Sequence, residues 1–177
     1  MKRIAKFEKI SIEQFIKDWE DTFPETGKIS PDRREEIIRI YESIELPKRA
    51  TAGSAGYDFY SPLSFSLAPR EGIKIPTGIR VSMEEGWVLK CYPRSGLGFK
   101  FRLQMNNTVG IIDSDYYYSD NEGHIFAKVT NDSNEGKTAE VKAGTGFMQG
   151  IFVEYGITFD DECEEIRNGG FGSTSKQ

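Results

Sequence analysis

From Pro47 onward the apolar positions come in short runs bounded by turn residues: GYDFY at 56–60, GIKI at 72–75, GIRV at 78–81, WVLKCY at 87–92, IFAKV at 125–129 and GIFVEY at 150–155. Several short strands at such close spacing predict an all-β sandwich or barrel rather than a fold of alternating strands and helices. Before Pro47 the period is different. Ser11-Ile12-Glu13-Gln14 has the form of a capping box, and Ile12, Phe15, Ile16 and Trp19 follow at helical spacing, so a helix is predicted over 11–21. Ser30 as N-cap, Pro31 at the first helical position and Asp32 as an early acid open a second helix. Its apolar stripe is Ile37, Ile38, Tyr41 and Ile44, and Pro47 stops it. Ile4, Ala5, Phe7 and Ile10 give a weaker strand signal ahead of the first helix. The expectation is one domain over 1–177, all-β, with a two-helix segment at 11–45 and a flexible glycine- and hydroxyl-rich tail at 165–177.

Composition narrows the functional classes. Hydrophobic residues at 37% and charged residues at 29% are ordinary for a water-soluble chain, and no apolar run approaches the ~20 residues that span a bilayer. The first six residues are charged with no apolar stretch behind them, so a secretory signal is not expected and the cytoplasm is. A net charge of −5 argues against a broad basic surface for duplex nucleic acid, but leaves room for a small anion in a local basic pocket. Cys91 and Cys163 are too few and too isolated for a disulfide framework or a zinc site.

Four stretches carry candidate chemistry. PRSGLG at 93–98 offers an arginine, a hydroxyl and backbone N–H groups around glycines, which suit a phosphate oxygen as well as a plain β-turn would. GIIDSDY at 110–116 leads a strand into a turn bearing Asp113 and Asp115. The break in strand geometry separates the two carboxylates, so only one is expected to act as a base on water; an acidic hairpin turn is the plainer reading. SAGYD at 54–58 combines small residues with Asp58, placed either to hold a metal-bound water or to cap a strand entry. In the tail, Phe171 stands between Gly170 and Gly172 ahead of Ser173 and Thr174, a stacking face with hydroxyls beside it or simply a loose terminus. One histidine, His124, and no G-x-x-x-x-G-K-[ST] loop leave hydrolysis to a carboxylate, a metal or both.

Taken together and in order, these stretches resemble the motifs of the trimeric dUTPases. PKRAT and GSAGYD between 47 and 58 resemble the first motif, PRSGLG the second, and NTVGIIDSDY at 107–116 the third. Residues 144–149 resemble part of the fourth, and GGFGST at 169–174 the fifth. The resemblance spans 47–174 and implies a jelly-roll-like β-barrel that forms homotrimers sharing their active sites. It implies hydrolysis of dUTP to dUMP and pyrophosphate, which limits uracil in DNA and supplies dUMP for dTMP synthesis. Asp113 would activate the water. Arg94, Ser95 and Gly96 would bind the triphosphate, with Ser95 near the scissile bridge and Gln149 reaching the phosphates. Mg²⁺ would be held by phosphates and waters, with Asp58 touching it only through a water. Asn107, Ile111 and Ile112 would read the uracil edge, and Tyr116 would lie under the deoxyribose and exclude a 2′-hydroxyl. Phe171 would stack on the uracil while Gly172, Ser173 and Thr174 close over the phosphates.

The chain departs from that pattern in three ways. Gly146 stands where the family usually has an arginine, three residues before the glutamine. Arg167, a phosphate-binding candidate, lies four residues before Phe171 rather than five. The two helices at 11–45 and a lengthened hairpin at 117–122 are additions, and either surface is a place for a protein partner or simply packs on the barrel. Two rivals remain: a dCTP deaminase, against which the spacing of Tyr116 and the GFGST tail argue, and a regulatory protein on a dUTPase scaffold.

Overall fold

The computed structural model describes residues 2–25 and 29–165. Its largest sheet is built around the nine-residue strand β12 (Gly146–Glu154), which lies antiparallel between β3 (Tyr57–Tyr60) and β7 (Trp87–Pro93). Strand β2 (Lys48–Arg49) extends one flank and β9 (Gly110–Ile112) the other. Against it stand a three-stranded sheet of β5 (Gly72–Pro76), β10 (Phe126–Asn131) and β8 (Leu103–Met105), and two pairs: β4 (Phe65–Leu67) with β11 (Ala139–Val141), and β1 (Ala5–Lys9) with β6 (Ile79–Met83). The alternation along β10 buries Ala127, Val129 and Asn131 and leaves Lys128 exposed, the period of a strand with one inward face. Phe59, Leu89, Phe147 and Met148 of the large sheet join Ile75, Leu103 and Val129 in one core cluster. Each such side chain contributes roughly 1.5–3 kcal/mol by leaving water. The all-β expectation holds. Among the described residues no helix is long and apolar enough to cross a membrane.

The two N-terminal helices form where expected, α1 (Ile12–Thr22) and α2 (Pro31–Ser43). Ser30 caps α2 by accepting from the Arg33 N–H at 3.2 Å, and the helix ends at Ser43, ahead of Pro47. Ser11 caps α1 by accepting from the Gln14 N–H at 3.2 Å, but the reciprocal half of the capping box is absent. The Gln14 side chain turns to Asp18 Oδ1 at 2.9 Å. The Ser11 N–H and Oγ–H instead donate to the two oxygens of Glu122, each at 2.7 Å. Burial pushes the Glu122 carboxyl up, yet these two hydrogen bonds and Arg80 outweigh it and hold it below the usual range. Phe15 is fully buried between the helices, its ring 5.4 Å from Trp19 and 5.5 Å from Tyr41.

Two segments differ from expectation. PRSGLG is not a simple turn: β7 ends at Pro93 and a seven-residue helix, α3 (Ser95–Phe101), begins with Arg94 as its N-cap. The addition after Tyr116 does not lengthen a hairpin; residues 114–118 form a 3-10 helix and residues 119–123 a turn.

His124 is completely buried where the first helix, the barrel and this turn meet. Its Nε2 accepts the Gly78 N–H at 2.8 Å, so the proton sits on Nδ1, which faces Asp18 Oδ2 at 2.6 Å. Burial holds the imidazole below its ordinary 6.5; Asp18 and Glu122 pull it up, Lys74 pushes it down, and burial wins. The unfolded chain therefore takes up a proton near 6.5 that the folded chain refuses until lower pH, and stability falls as pH drops below 6.5. Because this is the sole histidine, the effect stands clear of the carboxylates, which titrate lower. Calorimetry should find a lower melting temperature at pH 5 than at pH 7, with the difference shrinking in His124→Gln. Equal melting temperatures for the native chain would show that His124 titrates normally.

Candidate active site

The register of the large sheet assembles one group of predicted residues. Gln149 on β12 pairs with Asp58 on β3 and with Tyr92 on β7, one residue before the strand ends. Beyond that end Arg94 places its Nε 3.3 Å from Asp58 Oδ1, with the guanidinium side chain 43% exposed and the carboxylate only 14%. Arg94 caps α3 with no side-chain bond, so the first N–H groups of the helix have no partner within it, and Ser95 and Gly96 lie exposed there. Arg49 Nη1 donates to the carbonyls of Ala52 and Ser54 at 2.9 and 3.1 Å, shaping the loop opposite. Between them is a cavity of about 380 Å³ lined by Ala50, Ser54, Asp58, Arg94, Ser95 and Gln149. One guanidinium and a helix start beside small residues suit a polyanion with little steric hindrance.

Gly146 supplies what the sequence could not explain. A Cβ there would stand 2.8 Å from Arg94 Nη1 and 3.1 Å from its Cδ, so the bare glycine backbone is the floor on which the Arg94 side chain rests. At position 146 no side chain competes with Arg94 for that space.

A second group is carried by β9 and the segments at its two ends, on the flank of β7 away from β12. Asn107 is exposed in the turn between β8 and β9, and Ile111, 51% exposed, and Ile112 follow on β9. Asp113, half-buried, is extended and caps the 3-10 helix, whereas Asp115 is exposed within it. Tyr116 is 7% exposed, its hydroxyl donating to the His124 carbonyl at 2.7 Å and accepting from Asn121 Nδ2 at 2.9 Å. Ile112 pairs with Leu89, while Pro93 at the Arg94 end is four residues further along β7. That separation is roughly 13 Å at strand spacing. Asp113 and the Arg94 cavity therefore lie apart on one sheet, and none of Asn107, Ile111, Ile112, Asp113 or Tyr116 lines that cavity.

Among the described residues no three His, Cys, Asp or Glu side chains cluster to cage a metal. Asp58 is the one carboxylate lining the 380 Å³ cavity, and a single carboxylate fits a magnesium ion that keeps waters and phosphate oxygens as ligands. A larger cavity of about 750 Å³, walled by Phe7, Tyr57, Trp87, Ile151 and Phe152, holds none of the predicted site residues. Cys91 is buried, with burial pushing its thiol up to about 12, and Cys163 is exposed; both are free. Arg167, Phe171, Gly172, Ser173 and Thr174 lie outside the described residues.

Residues 42–175 match the dUTPase family model. The deoxyuridine 5'-triphosphate nucleotidohydrolase of Lactococcus lactis subsp. lactis is 41% identical, covering 78% of this chain and 95% of that protein. The crystal structure of the Streptococcus mutans dUTPase superposes with a TM-score of 0.56 at 37% identity, covering 64% of this chain and 88% of that one. A mutant dUTPase from phage phi11 of S. aureus, whose structure reveals the coordination of a structural Mg(II) ion, gives a TM-score of 0.57 at 25% identity, covering 70% and 92%.

The Gly146 floor yields a direct test. Gly146→Ala should leave stability nearly unchanged, because the far end of Arg94 can swing away, but should weaken pyrophosphate binding by about tenfold, the scale of one displaced charge-assisted contact. Titration calorimetry with pyrophosphate reads this, and unaltered affinity would show that Arg94 does not need its present seat.

Proposed function

This chain belongs to the dUTPase family, and from that we infer how its two groups of residues divide the hydrolysis of dUTP to dUMP and pyrophosphate. The observation that carries the inference is the roughly 13 Å along β7 between the Asp113 and Arg94 ends. We propose that the Asp113 group of one subunit faces the Arg94 cavity of another, in a cytoplasmic homotrimer. Asp113 takes a proton from water as its oxygen bonds to the α-phosphorus, the bond from that phosphorus to the α,β-bridging oxygen breaks, and pyrophosphate leaves with the bridging oxygen. Arg94, the α3 N–H groups at Ser95 and Gly96, and Gln149 hold the phosphates, with Ser95 beside the scissile bridge. Asp58 would hold a magnesium ion through a water, and the ion would supply charge neutralisation on the triphosphate. Asn107 with the exposed edge of β9 at Ile111 and Ile112 reads the uracil, and Tyr116 underlies the deoxyribose. From the tail, Phe171 stacks on the base, Gly172, Ser173 and Thr174 cover the phosphates, and Arg167 adds charge.

The Ser11–Glu122 bonds join the two added segments to each other. They favour an internal role for those segments over the docking of a partner.

The purified protein should release pyrophosphate from dUTP without ammonia and leave dCTP untouched; ammonia release would mark a deaminase instead. Asp113→Asn should lower turnover about a thousandfold while a non-hydrolysable dUTP analogue still binds. Sites built from two subunits predict a further result. Co-refolding Asp113→Asn with Arg94→Ala, each inactive, should restore about a quarter of native activity, since random mixing at that frequency pairs an intact Asp113 with an intact Arg94. No restoration would place both residues' work within one subunit.

A further inference from the structure

Most residues of the proposed site hang from the large sheet, but Tyr116 is held from behind by segments outside it. Its hydroxyl donates to the His124 carbonyl and accepts from the Asn121 side chain, whose Nδ2 also lies 3.4 Å from that carbonyl. The His124 carbonyl is in turn fixed because the ring cannot move: one nitrogen faces Asp18 of α1, the other accepts the Gly78 N–H, and the ring packs 4.3 Å from Phe126 and 6.2 Å from Phe15. Asp18 is steadied by Gln14 on its other oxygen. The turn that carries Asn121 closes with the His124 N–H on the Asn121 carbonyl at 3.1 Å, and both central residues are left-handed, Glu122 at φ +59° and Gly123 at φ +73°. A Cβ at position 123 would lie 2.8 Å from Tyr117 Cα, so the turn needs glycine there. Glu122 is a non-glycine in the same region, and both its oxygens are gripped by Ser11 at the start of α1. The neighbouring Tyr117 is tied down as well, its carbonyl by Arg80 at 2.9 Å and its hydroxyl by Glu8 at 2.6 Å.

Helix α1 therefore touches the segment around Tyr116 twice, at Glu122 through Ser11 and at His124 through Asp18. We propose that the N-terminal helical lobe is a positioning device for Tyr116: Asp18, His124 and Asn121 act as positioning residues that hold the ring at the height where deoxyribose fits and ribose does not. The proposal rests on the dUTP reading above. A lobe that only added stability would affect every substrate alike, because partial unfolding removes active sites without changing their preference. A lobe that sets the height of a platform alters the choice between sugars.

The experiment compares kcat/KM for dUTP and UTP in the full-length native protein, Asp18→Asn, Asp18→Ala and Asn121→Ala. Asp18→Asn keeps an oxygen that accepts from His124 Nδ1 and should hold the dUTP/UTP ratio within about twofold of native. Asp18→Ala and Asn121→Ala should each lower that ratio by roughly three- to tenfold, the range of coupling carried through packed networks. Unchanged ratios in both alanine variants would overturn the proposal, whatever happens to the absolute rates. Should Asp18→Ala fail to fold, Asn121→Ala decides alone, since Asn121 lies on a half-buried surface turn and touches Tyr116 directly. A native protein that leaves dUTP intact would fail the activity reading itself; an active native protein with an unmoved Asn121→Ala ratio would fail the positioning role only.

Discussion

Strand β12 is paired on both sides, and its register is the constraint on which the rest depends. It sets Gln149 beside Asp58 on one neighbour and Tyr92 on the other, so that Arg94, just past the end of β7, reaches Asp58. A slip of one residue would turn every side chain of β12 to the opposite face, burying Gln149 and expelling Phe147 or Met148 from the core. The same strand begins with Gly146, whose missing side chain gives Arg94 its place. Core packing and the grouping of Asp58, Arg94 and Gln149 are thus fixed by a single set of backbone hydrogen bonds.

Charge is handled locally. The chain carries a net −5, yet its proposed substrate is a polyanion. Repulsion from the whole surface works against binding, but screening confines it to about 10 Å. Among the described residues, what lines the cavity is one guanidinium at a helix start, half-screened by Asp58. That arrangement needs help from elsewhere to place a water and a base. The 13 Å spacing along β7 is the ground for proposing a base from another subunit: a strand rigid enough to hold Arg94 does not bring Asp113 back toward it.

The buried Asp18–His124 contact carries a different kind of information. A polar pair in an apolar core adds little net stability, since desolvation consumes most of the attraction, but it tolerates few alternative arrangements. Placed between a helix and the turn behind Tyr116, it exchanges stability at low pH for a defined geometry at neutral pH. The direction of the His124 shift and the geometry of its two nitrogens agree on a neutral ring.

The sequence alone determined whatever depends on near neighbours. Ser11 and Ser30 marked helix starts because an N-cap bonds within its own first turn, and the six apolar runs marked strands because alternation is a property of the strand itself. The motifs singled out Asp58, Arg94, Asp113 and Gln149 as candidates because each is a contiguous string. Helix α3 escaped notice because Gly96 and Gly98 lower its propensity; its start at Arg94 and its left-handed end at Arg102 are set by the strands on either side. The three-residue strands β4, β8 and β11 are too short to show a period. Only the tertiary structure decided that Glu122 completes the cap at Ser11, 111 residues away, that Gly146 makes room for Arg94, and that Asp113 and Arg94 lie toward opposite ends of β7. Each of these is a contact between segments remote in sequence, and spacing along a chain records neither the register of strand pairing nor the space a missing side chain leaves.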